Sequence, residues 1–221
     1  MKTFLHTHYF YTLVGVTVLV LRIPFIGKIL RVANTMVHES GHAFMALFTS
    51  GSVVSIDLFH DTSGTAVTKS STWISKFLVA LSGYFASSVI AYLLFALLKE
   101  GRHVMVAYLL MGLALLNIIF WVRNAYGLLW LLGFVGINAW LIYAHNAIGL
   151  QASAIVFSTA ILAESLISAL IILYLSFMAS EKSGDAKNLK DFTGIPAAFW
   201  GLLFCVQACY FFYLTAKLII T

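Results

Sequence analysis

Residues 29–48 read ILRVANTMVHESGHAFMALF, and the His38-Glu39-Ser40-Gly41-His42 run inside them decides what fold the chain needs. Most of the stretch is apolar, but Asn34, His38, Glu39, Ser40 and His42 are not. On a helix, positions four apart share a face, so the two imidazoles can reach one ion while Glu39 lies beside them. Two histidines and a glutamate midway along an apolar helix are expensive in lipid unless they face a polar cavity. A helix of this kind therefore needs a bundle around it.

The rest of the sequence supplies one. The chain has 221 residues, 62% hydrophobic and 10% charged, with a mean hydropathy of +0.98. An average soluble domain is nearer half apolar and a quarter charged. These values exclude a soluble globular enzyme, a disordered protein and a disulfide scaffold. The expected fold is an all-α polytopic membrane protein, 1–221 forming a single domain. About seven transmembrane helices are expected, over residues 9–26, 29–50, 73–98, 104–122, 126–144, 152–178 and 196–220. The first is read as a retained span rather than a signal peptide, since no small-residue cleavage site follows it.

Two stretches fall outside the spans. In 53–70, Val54, Ile56 and Leu58 alternate with Ser55 and Asp57, and Asp61-Thr62-Ser63-Gly64 supplies turn chemistry. This predicts a short membrane-side β-hairpin. Residues 179–194 form the most polar loop. The net charge of +5 suits anionic headgroups of a lipid bilayer, and scattered single Lys and Arg residues argue against nucleic acid. Cys205 and Cys209, four apart in an apolar run, read as packing residues. Trp73, Trp121, Tyr126 and Tyr143 fit an aromatic belt. Gly83, Gly112, Gly133 and Gly136 are expected to let helices approach closely.

Chance produces such a His-Glu-x-x-His run about 0.01 times in a chain of this composition, so the run carries information. Neutral imidazole suits Zn2+, and catalytic zinc keeps three protein ligands and one open position. His38 and His42 are the expected ligands. Glu39 is placed to take a proton from activated water.

An HExxH on an early apolar helix, followed by a membrane-side hairpin and further spans, resembles the site-2-protease class of intramembrane zinc metallopeptidases. It is most similar to their small bacterial, plant and fungal branch. Gly83-Tyr84 with Ala86-Ser87-Ser88, Trp121-Val122-Arg123-Asn124, and the stretches Gly184-Asp185-Ala186 and Thr193-Gly194-Ile195-Pro196 to Trp200-Gly201 add to the likeness. The resemblance implies a multi-pass metalloprotease, in the cell or inner membrane if bacterial, hydrolysing membrane protein or peptide substrates. An inactive protease relative, or a metal or proton transporter, is the alternative.

Better-known members of the group carry a later Asn-x-x-Pro…Asp-Gly motif whose Asp is the third ligand, and no Asp-Gly occurs here. Two acids compete for that place. Glu164 lies about 12 residues, roughly 18 Å, from either end of its expected span, a depth comparable to that of His38. It has no cation near it in sequence, so a metal or a proton is expected to meet it. Asp185 matches the family-like Gly-Asp-Ala stretch but belongs to the polar loop, where a helix N-cap is its ordinary role. Depth places Glu164 first and Asp185 second. Asn124 is a candidate for orienting a substrate backbone, or simply an interfacial helix end. His60-Asp61, in the hairpin turn, is a candidate substrate contact. His6, His8, His103 and His145 read as interfacial. The hairpin offers an edge strand to an unwinding substrate, and proline at Ile56 or Val67 is expected to slow cleavage.

Overall fold

The computed structural model describes residues 2–221, with side chains from residue 8 onward; the side chains of Lys2 and His6 lie outside the described residues. The element order is α1 (Lys2–Val20), α2 (Ile26–Phe48), β1 (Ser52–Leu58), β2 (Gly64–Lys69), α3 (Trp73–Lys99), α4 (His103–Leu116), α5 (Ala125–Tyr143), α6 (Ala147–Met178), α7 (Asp185–Thr193) and α8 (Ala197–Ile220). One π-helical turn, Asn117–Trp121, prolongs α4.

All seven expected helices are present, and length and apolarity single out five of them, among the described residues, as candidate spans. Those five, among the described residues, are α3, α4 with its π turn, α5, α6 and α8. The stretch of α1 whose side chains are described, His8–Val20, is apolar as well. Lys28, Arg31 and Glu39 lower the hydropathy of α2. The eighth helix, α7, falls in the stretch expected as a polar loop.

Burial among the described residues suits lipid as solvent. Large apolar side chains face outward, such as Leu129, Ile137, Trp140 and Ile148, while Ser88, Asn117, Asn138, Ser158 and Thr215 are buried. Without water inside a bilayer, polar groups gain most by turning toward other helices. Asn117 shows this, donating to Ser40 Oγ at 2.8 Å and to its own Leu113 carbonyl.

Helices α3, α6 and α8 pack against one another, and α2 lies along α3 and α6. Small residues set the α2–α3 spacing. A Cβ on Gly41 would meet Ala86 Cβ at 2.6 Å and the Ser82 carbonyl at 3.0 Å. Gly83 serves as expected, whereas Gly112, Gly133 and Gly136 have nothing within 4 Å of a built Cβ and do not mediate close approach.

The hairpin forms as expected, antiparallel, with Ile56 opposite Ala66 and Leu58 opposite Gly64. Two β1 residues face one on β2 between Val53 and Ser55, a bulge that leaves Val54 turned outward while Ile56 and Leu58 are buried. Asp61 Oδ1 accepts from the Ser63 amide and hydroxyl, at 3.0 and 2.6 Å, and these bonds hold the Asp61 carboxyl below its usual range.

The outer edge of β1 is occupied. Ile56 forms a parallel bridge with Val122. The Asn124 side chain accepts from the Leu58 amide at 3.1 Å and donates to the Leu58 carbonyl at 2.5 Å. Asn124 therefore orients this chain's own strand backbone, and β2 keeps the free edge.

Candidate metal centre

Helix α2 presents His38 and His42 one turn apart, on the side facing α3. Their Nε2 atoms lie 3.1 Å apart, with ring planes at 87°. Asp185 Oδ2 lies 3.2 Å from His38 Nε2 and 3.3 Å from His42 Nε2. Zinc with ligands at about 2.0–2.1 Å in a tetrahedron separates neighbouring donors by about 3.3 Å. The three atoms are spaced as donors to one such ion would be. Among the described residues, this is the group of His, Cys, Asp and Glu side chains able to hold a metal.

The surroundings fix the donors. His42 Nδ1 lies 2.7 Å from the Val79 carbonyl, which can only accept. Nδ1 therefore donates to it, which turns Nε2 toward the site. Ser82 Oγ donates to the same carbonyl at 2.7 Å. The Tyr84 ring stands edge-on to His38 at 4.7 Å and stacks on Phe204 at 4.5 Å. Gly83 is required here: a Cβ on it would sit 2.6 Å from both Nε2 atoms. The Ser82, Gly83 and Ala86 spacing on α3 is the small-residue signal from which this close wall was readable; the role of the Val79 carbonyl had no side-chain signature at all.

Asp185 reaches the histidines because α7 folds inward. Gly184 precedes it at φ 51°, and Gly194 ends the helix at φ 74°, both conformations that favour glycine. Ala186 and Leu189 are fully buried in a cluster with Tyr84, Trp200 and Phe204. Burying one Leu contributes roughly 1.5–3 kcal/mol. The outer-face pairs of Lys187 with Asp191 and Lys190 with Glu181 are screened by solvent and add little. Packing, not surface charge, therefore sets the position of Asp185. The Trp73 indole donates to the Phe192 carbonyl at 2.8 Å, so this residue fastens α7 besides any belt role. Burial alone would raise the Asp185 carboxyl, but the two imidazoles hold it below the usual carboxylate range. It is held as a carboxylate, the form a cation needs.

Glu164, the acid placed first by depth, is not in this group. Its Oε1 lies 3.0 Å from Arg31 Nε. The cation that no neighbour in sequence supplied comes from α2. Asp185 thus stands with the histidines and Glu164 stands apart.

Glu39 is buried under the hairpin. A Cβ on Gly64 would lie 2.8 Å from Glu39 Oε1, which places the carboxyl against the start of β2. A cleft of about 320 Å³ runs beside the triad, lined by Ala66, Thr68, Lys76, Asn188 and Phe192 together with His42 and Asp185. Its walls are the free edge of β2 and the inner face of α7. His60 packs near Tyr126 at 6.3 Å and joins neither triad nor cleft.

Residues 11–215 match the family model described as Peptidase M50B-like. The chain belongs to the Peptidase M50B-like family. The match runs from within α1 to within α8 and so takes in the hairpin and the residues of the triad. No curated protein and no solved structure matches the chain. As a Peptidase M50B-like chain with five membrane-length apolar helices, it is a membrane protein of a peptidase family.

Proposed function

We propose that this chain is an intramembrane zinc protease, with His38, His42 and Asp185 as ligands and Glu39 as general base. The observation that carries the reading is the 3.1–3.3 Å triangle of two imidazole nitrogens and one carboxylate oxygen, beside a buried Glu39. The donor set suits zinc: two neutral imidazoles, one carboxylate and an open fourth position. Zinc held there would supply Lewis acidity, activating water and polarising a peptide carbonyl. Val79 holds His42 in the tautomer that can donate its lone pair. Glu39 takes the proton from water and passes it to the leaving amine. The α7 and β2 walls keep the reacting peptide out of lipid.

The free β2 edge suits an extended peptide, whose backbone would pair along Ala66 to Thr68. Successive amides on a strand point to opposite sides. Ile56 and Leu58 turn their backbone groups away from β2, so their partner Ala66 turns its own away from β1; the Thr68 amide shares that cleft side and the Val67 amide faces β1. Proline at Ile56 would instead disturb the bridge to Val122. Thr68→Pro is therefore the sharper substitution, with cleavage expected to slow about tenfold, the loss of one backbone hydrogen bond, and zinc content unchanged. A kinetic assay with paired metal analysis checks this, and an unaltered rate removes the strand-pairing step.

The protease reading is tested with full-length protein in vesicles that contain single-span peptides. Cleavage, read by mass spectrometry, is expected to stop with 1,10-phenanthroline and to return with added zinc. Cleavage indifferent to the chelator, or absent from every zinc-loaded preparation, contradicts the reading.

A further inference from the structure

The triad separates two spaces that share no lining residue. On the His42 and Asp185 side lies the cleft described above. On the His38 and Glu39 side lies a second cavity of about 140 Å³, between α2, α3, α6 and the hairpin turn. Its walls include Arg31, Asn34, Thr35, Glu164 and Ser168, with the Tyr84 ring at the back. The volume admits several waters, and the walls supply the two to four polar partners each requires. Asn34 is buried, and its Oδ1 has no partner within the protein.

Glu39 lines this second cavity and is absent from the walls of the first. A general base must meet water, so the water side of the site is the Glu39 side. A peptide lying along β2 fills the cleft and blocks solvent from that direction. Apolar residues in place of both Arg31 and Glu164 would dry the second cavity, since its waters would lose the polar partners that hold them; removing only one would leave a charge that draws water in. The Arg31–Glu164 pair neutralises itself while leaving further donors and lone pairs to water. Thr35 Oγ1 donates to the Thr62 carbonyl at 2.8 Å, which ties the cavity wall to the hairpin turn.

We propose that this cavity is a water vestibule distinct from the peptide cleft, and that Arg31 and Glu164 are positioning residues that keep it hydrated. The supply of water to Glu39 rests on the protease reading; the hydration of the cavity does not. Ser168 faces the vestibule, and Leu170, two residues on, is exposed on the outer face of the same helix.

The experiment uses full-length protein in vesicles with both native cysteines removed (C205A, C209A) and one cysteine introduced. Iodoacetate, a small anion that reacts with thiolate in water, is the probe, and alkylation is read by mass spectrometry. Ser168→Cys is expected to react, with Leu170→Cys slower on the order of 100-fold because thiolate is disfavoured in hydrocarbon. In the Ser168→Cys background, the double change Arg31→Leu with Glu164→Leu is expected to abolish alkylation, and Glu164→Gln to retain it. Equal protection of Ser168→Cys and Leu170→Cys overturns the vestibule, and this comparison needs neither pair variant to fold. Persistent alkylation in the folded double Leu variant overturns the role of the pair. Neither readout involves zinc or turnover, so failure here leaves the protease reading standing, and failure of zinc binding leaves the vestibule standing.

Discussion

Asp185→Ala empties the zinc site, while Glu164→Ala leaves it filled. The contrast follows from which acid touches the histidines. Asp185 Oδ2 stands within 3.3 Å of both Nε2 atoms, whereas Glu164 spends its carboxylate on Arg31. Removing a residue that only hydrogen-bonds a ligand costs roughly 10–100-fold in metal affinity. Removing a direct donor from a three-ligand site costs more than that, enough to lose zinc during purification. Zinc-to-protein ratios of wild type, Asp185→Ala, Glu164→Ala and His42→Ala check this in one series. The expected order is full, empty, full, empty. A stoichiometric Asp185→Ala protein beside an empty Glu164→Ala protein would restore the choice that span depth favours.

Glu39→Gln gives the second large effect, and it falls on turnover alone. The carboxylate lies beside the triad but is not part of it. Gln keeps the shape that packs under Gly64 while giving up the ability to accept a proton from water. General-base catalysis contributes roughly 10²–10⁴-fold, so cleavage should drop by that factor with zinc content intact. A single-turnover assay on zinc-loaded protein measures it. The result also separates the competing classes: a transporter need not lose its flux on this change, and an inactive relative has no hydrolysis to lose. Wild-type turnover in the zinc-loaded variant would remove Glu39 from the chemistry.

Local patterns were legible in the sequence, and contacts between distant segments were not. The helices over 73–98 and 126–144 match α3 and α5 to within a residue, because apolar runs bounded by charged or turn residues state their own limits. The alternation of Ile56 and Leu58 with Ser55 and Asp57 marks β1 equally well, although the bulge that turns Val54 outward leaves no trace in composition. The HExxH spacing brings His38 and His42 together because both sit on one helix. Asp185 lies 143 positions from His42, and only the inward packing of Ala186 and Leu189 joins them. The depth argument for Glu164 assumed that a mid-helix acid without a neighbouring cation needs a metal; Arg31, 133 positions away, meets that need. Asn124 read as a helix end, and it is one, yet its side chain clamps Leu58 from 66 positions away. Such pairings depend on how elements cross, which periodicity does not encode.

The most direct measurement is X-ray absorption at the zinc edge of detergent-purified wild-type protein. The account predicts one zinc per chain, a first shell of nitrogen and oxygen only at about 2.0–2.1 Å, and outer-shell scattering from two imidazoles. Sulfur in the first shell, a single imidazole, or protein that binds no zinc when the ion is supplied would contradict it.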